Sequence, residues 1–78
     1  MKTMTCLELG GACNLKFTGE TFEEIAELSK KHGMEMFQKK DEAHLTAMNK
    51  MRVLMESPQA MQDWFEKKRE IFKNLKED

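Results

Sequence analysis

Two cysteines, Cys6 and Cys13, and two histidines, His32 and His44, are the side chains whose types could do chemistry in this sequence. The cysteines bracket Gly10-Gly11-Ala12 with six residues between them. In a ribbon that reverses at the glycines, their sulfurs stand at comparable heights on two strands and approach closely. Three fates are open to such a pair. Both can be small buried hydrophobes, since free cysteine is among the most buried residue types. They can hold a metal, or they can form a redox pair. The spacing matches neither a Cys-x-x-Cys zinc knuckle nor a thioredoxin-like motif.

Zinc takes about four ligands in a tetrahedron. Cys6 and Cys13 supply two, and His32 is placed to be a third, at the edge of an apolar helix face beside Ile25, Leu28 and Met36. No fourth ligand is evident. His44 lies twelve residues further on, on a separate helix, and no spacing rule unites the two imidazoles. The plain alternative for either ring is a half-buried side chain with one nitrogen bonded to backbone or water.

Enzyme chemistry finds little to build on, and no catalytic residue is assigned. There is no glycine-rich phosphate loop, no His-Glu-x-x-His signature and no nucleophile elbow. Glu23, Glu24 and Glu27 read as a solvated helical face whose acids favour the helix start. A cysteine nucleophile paired with His32 would need a depressed thiol pKa, which sequence cannot show. Lys67-Lys68-Arg69 is flanked by Glu66 and Glu70 and lacks interleaved aromatics, so it reads as solvated surface.

The elements that must position these residues follow from caps and periodicity. Thr21 and Glu24 form a capping box. Phe22, Ile25, Ala26, Ser29, Gly33, Met36 and Phe37 then recur at helical spacing. Because this period keeps its phase through Gly33, one helix is expected over about 21–39. Asp41 is a fair N-cap for a second helix over about 41–56. On it His44, Met48, Met51 and Met55 form a stripe broad enough to serve as an interaction surface, and methionine repacks at little cost around a partner. Ser57-Pro58 opens a third helix over about 58–75, with Met61, Trp64, Phe65, Ile71, Phe72 and Leu75 inside. Upstream, residues 2–9 and 13–18 alternate like strands, giving a two-stranded antiparallel hairpin over about 2–18, with Leu15 and Phe17 facing the first helix. The expected class is α+β, an N-terminal hairpin followed by three α-helices.

The chain has 78 residues, so a single small domain with a marginal core is expected, and a partner copy or a metal would support it. Its formal charge of −1, with both signs intermixed, supplies no long-range field for nucleic acid or an anionic membrane, and neither is expected as a partner. No apolar run of signal or membrane-spanning length occurs, and a cytoplasmic protein is expected.

Cys6-x-x-Leu9-Gly10-Gly11-x-Cys13, followed by Thr18-Gly19-Glu20-Thr21, Glu23-Glu24 and then His32, resembles a small prokaryotic family of unknown activity, domain of unknown function 1059. The resemblance covers about the first half of the chain and implies a strand-strand-helix unit. Members of that family often carry a second histidine five residues after the one matching His32, and Phe37 stands there in this chain. A two-cysteine, two-histidine site carried over from the family would therefore lack one ligand here.

Two functions are carried forward. The first is a small interaction module that self-associates and needs no cofactor. The alternative is a metal-binding or thiol redox-sensing protein using Cys6, Cys13 and His32, with zinc as its metal.

Overall fold

Capping fixes where each helix begins. The computed structural model describes residues 1–77, and three helices follow an N-terminal ribbon. Helix α1, Phe22–Gln38, opens on the capping box at Thr21 and Glu24 and runs unbroken through Gly33. Helix α2, Glu42–Met55, opens on Asp41, whose carboxylate accepts from the His44 N–H. Helix α3, Pro58–Asn74, opens on Ser57 with proline in its first turn. Among the described residues no helix is long and apolar enough to cross a membrane.

The link between α1 and α2 has a specific geometry. Lys40 N–H donates to Phe37 C=O and Asp41 N–H to Met36 C=O, the paired bonds of a Schellman motif. Lys40 takes the left-handed conformation, φ 57°, that glycine usually fills there. Asp41 then caps the next helix at once. Such a short link turns α2 back along α1.

Strands β1, Lys2–Thr5, and β2, Lys16–Gly19, pair antiparallel with Met4 opposite Phe17 and Thr3 opposite Thr18. Period-two alternation sends Met4 and Phe17 inward, where they are 0% and 5% exposed, while the Thr3 and Thr18 hydroxyls bond on the outside. The buried apolar set is Met4, Cys6, Leu9, Phe17, Phe22, Ile25 and Phe72. Phe22 and Phe72 meet edge to face, and the Lys2 ammonium donates to the Phe72 and Lys73 carbonyls at the end of α3. Gly19 lets β2 approach α1, since a Cβ there would stand 3.0 Å from Glu24 Cβ and 3.3 Å from Ile25 Cγ1.

The α+β class, with a ribbon and then three helices, is as the sequence reads, but the ribbon is shorter. β1 ends at Thr5 and β2 begins at Lys16, and a 3-10 turn, Leu7–Leu9, occupies part of the interval. Thr5 and Glu8 close β1 reciprocally: Thr5 N–H and hydroxyl donate to the Glu8 carboxylate, and Glu8 N–H donates to the Thr5 hydroxyl. Leu15, expected to face α1 with Phe17, lies before β2 and is half exposed, its carbonyl accepting from Cys6 N–H. Phe37, expected on the buried side of α1, is 64% exposed. β2 packs on α1, and the end of the helix runs past the buried set. Met61 and Ile71, expected inside α3, are each 39% exposed, and Phe65 and Phe72 carry its inner face, with Leu75 packed on the core just past the helix end.

Candidate metal centre

The 3-10 turn winds the chain around Cys6. The Cys6 carbonyl accepts from Leu9 N–H at 3.1 Å and Gly11 N–H at 2.8 Å, and Gly10 takes the left-handed conformation, φ 91°, that closes the turn. Gly11 then passes directly over the thiol. A Cβ at that position would stand 2.1 Å from Cys6 Sγ, so only glycine leaves room for the sulfur in this orientation. The strand-side bonds, Cys6 N–H to Leu15 C=O and Leu7 N–H to Cys13 C=O, bring Cys13 alongside.

Opposite the turn stand the two rings. His32 projects from the middle of α1, its ring 5.7 Å from that of Phe17. His44 is the third residue of α2 and is buried. Because the link folds α2 back along α1, the two imidazoles meet edge to face with centroids 5.2 Å apart. Cys13 Sγ lies 3.4 Å from His32 Nε2 and Cys6 Sγ 3.6 Å from His44 Nε2. One ligand atom from each of Cys6, Cys13, His32 and His44 falls within 4.8 Å of every other.

These separations can be set against a coordination polyhedron. Zinc bonds of about 2.3 Å to sulfur and 2.0–2.1 Å to nitrogen, at tetrahedral angles, give edges of about 3.5 Å between sulfur and nitrogen and about 3.8 Å between sulfurs. The two sulfur–nitrogen contacts already have that length, and an edge at the 4.8 Å limit would need to contract by about 1–1.5 Å. The four groups are therefore close enough to bind a metal ion. That fits the zinc alternative and does not fit an expectation of no cofactor.

The electrostatics differ between the thiols. Burial pushes the Cys6 thiol up, opposed by the backbone N–H groups of Cys13 and Ala12. Cys13 is held below the usual thiol range, first by the Leu15 N–H and then by His44 and Cys6. Backbone N–H groups aimed at sulfur favour thiolate, the form that binds metal. His44 is raised, chiefly by its bond to Asp41, and Asp41 is lowered by the same contact.

Of the residues singled out in the sequence, Cys6, Cys13 and His32 come together. His44, expected on the interaction stripe with Met48, Met51 and Met55, is instead 6% exposed and turned into the cluster, so α2 supplies a fourth group able to bind a metal. Met48 and Met51 are half buried and line, with Cys6, Gly10, His32 and His44, a cavity of about 200 Å³ beside the cluster. The sequence marks Asp41 only as a cap, although an aspartate three residues before a histidine at a helix start carries a signal for this contact. No family model matches this chain, and no curated protein or solved structure is similar to it at a significant level.

Proposed function

We propose that this chain is a metal-binding protein whose Cys6, Cys13, His32 and His44 hold one zinc ion, and that the metal clamps the N-terminal turn onto the α1–α2 pair. The observation that carries the proposal is the convergence of four ligand atoms of suitable type, from three separate segments, within 4.8 Å of one another. Two thiolates and two neutral imidazoles balance the charge of a divalent ion, which suits a partly buried site. Four protein ligands leave no open position for substrate, the pattern of a structural rather than a catalytic zinc.

The magnitudes support a structural role. A small domain is stabilised by roughly 0.05–0.15 kcal/mol per residue. Structural zinc contributes an apparent 10–16 kcal/mol, on the order of zinc-finger peptides, where the apo chain is unfolded. A metal bound here would rival everything else holding the chain together. Elemental analysis of protein purified without chelator tests the proposal. One equivalent of zinc, lost in the Cys6→Ala/Cys13→Ala double variant together with much of the stability, is expected. Metal-free protein whose stability is unchanged by the double substitution would overturn it.

Self-association is a second proposal, carried by a different face. Met34 and Phe37 are 58% and 64% exposed near the end of α1, where with Gly33 and Met48 they line a shallow apolar depression. A second copy of the chain covering this end would bury them. Sedimentation over a dilution series tests it, and a folded monomer at every concentration would remove it.

A further inference from the structure

We infer that Asp41 is a positioning residue for the metal: its carboxylate fixes His44 in the tautomer and ring orientation that present Nε2 to the ion. The inference rests on the metal-binding reading above and adds to it a residue that is not itself a ligand. One carboxylate oxygen, Asp41 Oδ2, accepts from the His44 backbone N–H at 3.1 Å and lies 2.5 Å from His44 Nδ1. An ionised carboxylate can only accept, so the ring nitrogen facing it carries the proton. In a neutral ring that leaves the lone pair on Nε2, the atom that faces Cys6 Sγ at 3.6 Å. His44 Nδ1 is spent on Asp41, and the imidazole cannot rotate to offer it without breaking a short charged hydrogen bond.

The same contact explains how a helix start can serve as part of the site. Asp41 is simultaneously the last residue of the α1–α2 link and the cap of α2, so the bend, the first turn of α2 and the ring of its third residue are locked by one group. His32 has no partner of this kind among its described contacts, which are the Cys13 sulfur and the Phe17 and His44 rings. Of the two imidazoles, His44 is thus held ready and His32 is left to adjust when the longer edges of the cluster contract. Carboxylates that hold a metal-bound histidine by its distal nitrogen typically change metal affinity by about 10–100-fold when removed.

A cap and a positioning residue make different predictions, and substitutions separate them. Asp41→Ser keeps a good N-cap but lacks the reach and charge to hold Nδ1, and Asp41→Asn keeps reach while losing charge. Ser57→Ala, which removes the cap of α3 away from the cluster, controls for helix fraying. Zinc affinity is read by chelator competition on the full chain, and the His44 tautomer by imidazole nitrogen chemical shifts in the zinc-loaded protein. Asp41→Ser is expected to bind zinc about 10–100-fold more weakly, Asp41→Asn less than tenfold more weakly, and Ser57→Ala like the wild type. The wild-type His44 shifts should report metal at Nε2 and a proton at Nδ1. Asp41→Ser binding zinc within twofold of the wild type, a loss no larger than that of Ser57→Ala, or metal at Nδ1 would overturn the inference while leaving the zinc site standing. A wild-type chain that takes up no zinc would overturn the site itself and the inference with it.

Discussion

Substituting Gly11 by alanine perturbs the site through one atom, and the structure sets the size of the effect. The new Cβ would stand 2.1 Å from Cys6 Sγ and 3.0 Å from the Cys6 carbonyl oxygen. Favourable contacts between heavy atoms of this kind need about 3.5–4.0 Å, so the sulfur must retreat by roughly 1.5 Å. A zinc–sulfur bond tolerates about ±0.2 Å, and a displacement several times larger removes Cys6 as a ligand. The metal-free chain suffers less. Overpacking costs about 1–3 kcal/mol, offset by about 0.4–1 kcal/mol from the less flexible unfolded chain. Gly11→Ala should therefore lose more than the roughly 100-fold in metal affinity that removing a positioning carboxylate costs, and with the metal the stability that zinc supplies. Cobalt(II) titration, followed by thiolate-to-metal absorption, reads this directly. Gly33→Ala is the control, since its Cβ would meet only Met48 Cε at an ordinary 3.7 Å. It should leave cobalt binding intact and stabilise α1 by about 0.5–1 kcal/mol. Wild-type cobalt affinity in Gly11→Ala would refute the placement of Cys6 Sγ beneath that glycine.

Other expectations address the frame and the open face. Ile25 lies on the face of α1 that meets β2 and is fully buried, so Ile25→Ala should cost about 2–5 kcal/mol in urea unfolding of the metal-loaded protein. Lys40 holds a left-handed conformation at the α1 C-terminus, and Lys40→Gly should be neutral or stabilising by about 1 kcal/mol in thermal unfolding, where a loss would contradict the role given to this link. Phe37→Glu should change stability by no more than about 0.5 kcal/mol, because the ring is exposed, yet shift sedimentation toward the monomer if the end of α1 joins two copies.

The helices were legible because their starts are written in local chemistry. Thr21 with Glu24, Asp41, and Ser57 with Pro58 each mark a boundary that the structure places within a residue or two. The ribbon was less legible, since alternation suggested strands through residue 9 while Thr5 and Glu8, spaced like Thr21 and Glu24, form a reciprocal pair that ends β1 early. That signal stands in the sequence beneath a stronger apolar pattern. The place of His44 beside the thiols is illegible for a different reason. Its approach to His32 depends on a left-handed lysine turning α2 back along α1, and lysine is not a residue that announces such a conformation. The thiols are legible as a pair across a turn, but the approach of a fourth candidate ligand is a property of the helix link, which no cysteine or histidine spacing encodes.

Metal binding by this chain requires one ion among these four side chains. X-ray absorption at the zinc edge, on protein expressed with zinc and purified without chelator, measures that directly. Zinc held by Cys6, Cys13, His32 and His44 should show two sulfur neighbours at about 2.3 Å and two nitrogen neighbours at about 2.0–2.1 Å, at one zinc per chain. Substoichiometric zinc, or a shell of oxygen and nitrogen neighbours without sulfur, would contradict it.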